Sequence, residues 1–190
     1  MLLLALLCGG CPSVRLGPPE PEAVEVAYAH PPTGAAFPRT LAGCPLVRLW
    51  DEKAPEDVSA NYESLDLERL AFASIYLYAR PPRGLEPLQH QHSVIEDVRR
   101  AHPDAEVGDT REVTVEPSRG GRFQGMRTEF TYSMLLGGST RRVRSFAYLF
   151  AWEAWYLKFR VTYALDQEER VRERSERFVI DFPWPTELSS

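Results

Sequence analysis

Tyr156-Leu157-Lys158-Phe159-Arg160-Val161-Thr162-Tyr163 is the most legible stretch of this chain. Leu157, Phe159, Val161 and Tyr163 alternate with Tyr156, Lys158, Arg160 and Thr162. In an extended chain successive side chains point to opposite faces, so this period of two predicts a half-buried strand. Working backwards, a tight turn near Glu153 separates it from Val143–Ala151, which carries Phe146, Tyr148 and Phe150. Gly137-Gly138-Ser139 is a hairpin signal, because glycine tolerates the positive φ that two-residue turns require. Before it, Phe123–Leu135 sets Thr128, Phe130, Tyr132 and Met134 against Arg127, Glu129, Thr131 and Ser133. Val107–Glu116 precedes a turn at Pro117-Ser118-Arg119-Gly120-Gly121. Four such strands joined by short turns predict an antiparallel meander.

After the decisive strand, Asp166 and Glu169 have capping-box spacing, in which two side chains satisfy amides of the first helical turn. Val171, Ser175, Phe178 and Phe182 mark the inner face of this closing helix, and Phe182-Pro183-Trp184-Pro185 predicts an aromatic tail docked on the core. Upstream, Leu46–Trp50, Val58–Glu63 and Leu70–Ala79 are candidate strands, the last stopped by Pro81-Pro82. Leu85–His102 has helical spacing, with Leu85, Leu88, His92, Ile95 and Val98 on one stripe, and Pro103 ends it. The expected fold class is α+β: a twisted antiparallel sheet with a C-terminal meander, flanked by two helices.

The first residues read differently. Leu2–Leu7 is far shorter than the roughly 20 apolar residues a transmembrane helix needs, and it runs into Cys8-Gly9-Gly10-Cys11. Short apolar runs of this kind belong to export signals. The ending resembles the lipobox of bacterial lipoproteins, whose cysteine becomes the lipidated amino terminus after cleavage; Cys11 is the matching position. The alternative is a core element at the start of a cytosolic protein, with Cys8 and Cys11 as a C-x-x-C pair. Between Pro12 and Ala36 stand Pro12, Pro18, Pro19, Pro21, Pro31 and Pro32, six of the chain's 16 prolines. Proline-rich segments stay extended at about 3.1 Å per residue, so this stretch would reach roughly 75 Å. The alternative there is an edge strand at Val24–Tyr28. The expected organisation is a signal peptide at 1–10, a tether at 11–36, a single α+β domain at 37–185 and a tail at 186–190.

The order of strands, helix, four-stranded meander and final helix resembles the PsbP-like fold. The strand 156–163 followed by a closing helix is similar to a group of uncharacterised exported bacterial proteins. Both resemblances imply a cell-envelope protein whose domain binds something or supports a complex, and they supply no catalytic residues.

Chemical motifs are sparse. The sequence has no G-x-S-x-G elbow, no H-E-x-x-H, no phosphate-binding glycine loop and no G-x-G-x-x-G after a strand. His90 and His92 lie two apart on the predicted helix and point about 200° from each other, so they cannot share a metal. His92 and Glu96 have the right spacing, but His92 falls on the apolar stripe and reads as a partly buried core histidine. No metal, no cofactor and no catalytic residue is expected.

Length and composition agree: 190 residues, 44% hydrophobic, 26% charged and a formal charge of −5 describe an ordinary globular chain. Nucleic acid is excluded as a partner by the acidic balance and the lack of a recognition helix. That −5 is unevenly spread. Arg119, Arg122, Arg127, Arg141, Arg142, Arg144, Lys158 and Arg160 face only Glu129 and Glu153, so residues 119–160 carry +6 and the rest −11. The expected binding surface is therefore Arg127, Arg141, Arg142, Arg144, Lys158 and Arg160, on the outer side of the meander. Its partners would be an envelope protein or an anionic ligand, with the membrane reached through the lipid on Cys11. The functional expectation is a lipid-anchored, non-enzymatic envelope module; the alternative is a hydrolase-like envelope enzyme with a carboxylate and histidine pocket.

Overall fold

A computed structural model describes residues 25–64, 71–81, 86–117 and 121–185. The amino-terminal run, Cys8, Cys11 and the 186–190 tail lie outside the described residues. Ten strands and two helices follow in chain order: β1 (Val26–Ala29), β2 (Ala36–Pro38), β3 (Thr40–Leu41), β4 (Cys44–Lys53), β5 (Asp57–Glu63), β6 (Ala71–Ala79), α1 (Pro87–Ala101), β7 (Glu106–Val115), β8 (Phe123–Leu136), β9 (Ser139–Trp152), β10 (Trp155–Ala164) and α2 (Glu168–Ile180). β1 and β2 form a small antiparallel pair, and the other eight build one antiparallel sheet in the order β3-β4-β5-β6-β10-β9-β8-β7. After β6 the chain leaves through α1 to the far edge, lays down β7, and returns by hairpins until β10 closes the sheet beside β6. The stretch 156–163 is thus the central strand.

Residues paired across neighbouring strands share a face, so the register fixes which side chains meet. On one face, Ala60, Ile75, Phe159 and Tyr148 stand in one row, and α2 packs there against β10 and β6. Its inner residues are Val171, Ser175, Phe178 and Val179. Phe182 and Trp184 extend this core: Phe182 meets Phe159 and Phe37 edge-on, while Trp184 stacks on Phe123 at 4.3 Å and donates its indole N–H to the Val179 carbonyl at 2.7 Å. On the opposite face, α1 packs mainly on the meander, against β8 and β9, and touches β6 and β10 through His90. One sheet therefore carries apolar packing on both faces, α2 on the central strands of one and α1 on the meander of the other.

Three local readings differ from expectation. α1 buries Gln91, Val94 and Val98, while His92 is exposed and Leu88 is 50% exposed. The stripe is rotated because Gln91 is buried by donating to Thr128 Oγ1 at 2.8 Å, which an apolar count does not register. The Asp166–Glu169 capping box does not form. Leu165–Gln167 makes a 3₁₀ turn, and Gln167, without a side-chain cap, leads into α2. Lastly, folded structure begins before residue 37. β1 pairs with β2, and the buried His30 is locked by Thr33 and Pro55. A carbonyl only accepts, so His30 Nε2–H donates to Pro55 O, while Nδ1 and the Thr33 hydroxyl are hydrogen-bonded to each other, each at 2.7 Å. Residues 25–36 are part of the domain, and the edge-strand alternative describes them better than the tether.

Candidate functional site

The six expected cations do not form one surface. Arg144 sits on the α2 side between Glu129, at 3.2 Å, and Glu168. Arg127 lies on the same side with its guanidinium 4.1 Å from the Phe146 ring centre and 5.9 Å from that of Tyr148. Arg141 pairs with Asp166 at 2.7 Å, and Arg142 with Glu106 at 2.6 Å and Asp104 at 3.3 Å. These pairs turn meander cations inward to neighbouring carboxylates.

Lys158 and Arg160 are different. They alternate with Phe159, so they point to the α1 side, and the register aligns them with residues of four other strands. One row runs Trp50, Ser59, Tyr76, Lys158, Leu149 across β4, β5, β6, β10 and β9. The next runs Arg48, Asn61, Ser74, Arg160, Ala147. α1 packs mainly on β8 and β9 and reaches β6 and β10 through His90, and the face opens over β4, β5 and the Tyr76 part of β6. A cleft of about 400 Å³ opens there, lined by Trp50, Glu52, Lys53, Asp57, Ser59, Asn61 and Tyr76.

The ammonium of Lys158 lies 4.3 Å from the Tyr76 ring centre and 5.7 Å from that of Tyr78. Ring quadrupoles attract a cation, but withdrawal from water opposes its charge. Burial, and then the neighbouring Arg160, pull the Lys158 amine below its ordinary value, while Asp97 and Asp57 partly offset this. Arg160 donates from Nε to Ser145 Oγ at 2.9 Å and from its terminal nitrogen to the Tyr132 hydroxyl at 3.1 Å. Neither cation has an ion-pair partner among the described residues. α1 frames the face with two imidazoles. Tyr78 and His90 Nε2 are hydrogen-bonded at 2.6 Å, and His102 stacks on Tyr132 with ring centres 3.9 Å apart. Burial, followed by Lys158 for His90 and Arg160 for His102, lowers both imidazoles. Tyr78 is raised, chiefly by burial, so the phenol stays protonated beside His90.

Of the expected site residues, Lys158 and Arg160 share the α1 side, with the ammonium over the β6 tyrosines and the guanidinium at Ser145 and Tyr132, and only Lys158 adjoins the cleft. Trp50, Tyr76, Asp57, Ser59 and Asn61 were missed as site residues. Their signal was present as strict alternation: Asp57, Ser59 and Asn61 against Val58, Ala60 and Tyr62, and Ser74, Tyr76 and Tyr78 against Ala73, Ile75 and Leu77. Among the described residues no group of three or more His, Cys, Asp or Glu is placed to hold a metal ion, and no helix is long and apolar enough to cross a membrane.

An eight-stranded antiparallel sheet with two helices defines an α+β domain, and its architecture has a counterpart of known structure. The solution structure of cyanobacterial PsbP (CyanoP) from Synechocystis sp. PCC 6803 matches with a TM-score of 0.51, over 93% of this chain and 98% of that one, at 15% identity. The chain has the PsbP-like fold. At that identity the likeness is one of fold. No protein-family model and no curated protein matches the sequence.

Proposed function

We propose that this is a lipid-anchored protein of the bacterial cell envelope, exported and held through Cys11, whose domain is a non-enzymatic binding or complex-support module. The observation that carries the binding half is the open sheet face over β4, β5 and the Tyr76 part of β6. It presents Lys158, without an ion pair among the described residues, beside a cleft with aromatic and polar walls. A face serving only as a solvated surface has no reason to hold a cation half-buried and unpaired, because an unpaired charge withdrawn from water is costly. The anchoring half is supported by the apolar run Leu2–Leu7 ending at Cys11, and by the prolines that follow it.

Each half has its own test. With the full chain expressed in a Gram-negative host, Cys11→Ser is expected to move the protein from the membrane pellet to the soluble fraction; unchanged partitioning overturns the anchor. For the binding face, a photoreactive phenylalanine analogue replacing Tyr76 is expected to give covalent adducts in intact cells, and the same probe replacing Arg99 none. Adducts at both positions, or at neither, overturn the contact surface.

A further inference from the structure

We propose that the cleft along the Trp50–Ser59–Tyr76–Lys158 row binds an acidic oligosaccharide, with its carboxylate toward Lys158. This rests on the reading of that face as a contact surface and names its ligand. The four residues lie on adjacent strands spaced about 4.8 Å apart, so the row spans roughly 14 Å. The small Ser59 sits between two rings, Trp50 and Tyr76, and the cleft of about 400 Å³ is floored there. Arg48 lies over the indole at 4.4 Å and limits its rotation.

A pyranose has two chemically distinct parts. Its ring faces are C–H surfaces that pack on aromatic rings, and its rim is a circle of hydroxyls that need planar hydrogen-bonding partners. The cleft supplies both: rings from Trp50 and Tyr76, and acceptors from Asp57, Asn61 and Glu52 at its margin. An apolar ligand would leave those carboxylates and that amide without use. The lining holds Lys53 beside Glu52 and Asp57, so it carries both signs of charge, and its acceptors suit hydroxyl donors that an acidic peptide side chain lacks. A saccharide carrying carboxylates at intervals uses both signs of charge, with its hydroxyls donating to Asp57 and Glu52 and its acid group on Lys158. Lys158 stands at the β10 end of the row, its ammonium 4.3 Å from the Tyr76 ring centre and without an ion pair among the described residues, which places a cation beside the Tyr76 wall for the acid group.

The test uses the full chain carrying Cys11→Ser, titrated calorimetrically with mannuronate, guluronate and galacturonate tetrasaccharides, with mannotetraose as neutral counterpart and tetraglutamate as acidic peptide. At least one acidic tetrasaccharide is expected to bind, and Trp50→Ala and Lys158→Gln are each expected to weaken it by about tenfold or more. Added salt should erode the acidic ligand's advantage over mannotetraose. Should Trp50→Ala fail to fold, Lys158→Gln, a change at a half-buried side chain, still decides. Binding of no acidic saccharide overturns the inference, and so does binding that both variants leave intact. Preferential binding of tetraglutamate also overturns it, in favour of an acidic protein. Photoadducts at position 76 without saccharide binding remove the glycan and keep the contact surface; the absence of both removes both.

Discussion

Gly125 shows how closely a single position is fixed. It lies within β8, opposite Phe150 of β9 and Val113 of β7. A Cβ built there would stand 2.5 Å from the Leu149 carbonyl oxygen and 2.5 Å from Phe150 Cδ1. The Phe150 ring cannot simply withdraw, since it meets Trp184 edge-on at 4.8 Å and Phe159 at 6.1 Å. Glycine here is required by the approach of a neighbouring strand rather than by a turn. Gly125→Ala is therefore expected to destabilise the domain by about 1–3 kcal/mol through overpacking. Gly108 is the control: its added Cβ would meet Glu129 Cβ at 3.4 Å, an ordinary contact, so Gly108→Ala should change stability by less than about 0.5 kcal/mol. Urea titration with an unchanged slope checks both, and equal midpoints for the two variants would sink the close-approach argument.

At the scale of elements, the start of α2 is the instructive case. A capping aspartate contributes typically about 1 kcal/mol, and its removal is felt at any ionic strength. Asp166 instead forms an ion pair with Arg141 across to β9, with the carboxylate 58% exposed. Asp166→Ala is accordingly expected to cost only a few tenths of a kcal/mol, and nothing measurable in about 0.5 M salt. A salt-independent loss of about 1 kcal/mol would restore the cap. The same contrast explains what the sequence could reveal. β8, β10, the inner face of α2 and the docked aromatic tail were legible because period and apolarity coincide in them. α1's inner face was not, because a hydrogen-bonded glutamine replaces an apolar residue. The binding face was hidden for a different reason. Alternation fixes which residues share a side within a strand but not the phase between strands. Arg127 pairs with Tyr148 and so lies on the α2 side, whereas Lys158 pairs with Tyr76 and Leu149 on the other. Only the insertion of β10 between β6 and β9 decides that.

For the whole molecule, the two helices pack on opposite faces of one sheet, and α1 is the one expected to respond to pH. It docks through His90 near its start, against Tyr78 and Tyr156, and through His102 just beyond its end, against Tyr132. The cations facing these imidazoles are Lys158 and Arg160, opposed by Asp97 and Asp104. Both imidazoles are held below their ordinary 6.5 in the folded chain. In the window beneath 6.5 the unfolded chain therefore binds more protons than the folded one, and stability rises with pH there. The melting temperature should therefore fall as pH drops from about 7.5 towards 5, a range in which unperturbed histidines titrate. The lowered carboxyl of Asp104 acts further down, below its ordinary 3.8, where its ion pair and its bond from the Ser133 amide are lost. The two windows are thus separable. The His90→Gln, His102→Gln double variant is expected to flatten the upper one and leave the lower intact. A wild-type profile already flat between pH 7.5 and 5, or a double variant with the same slope, would show that α1 docking does not depend on neutral imidazoles.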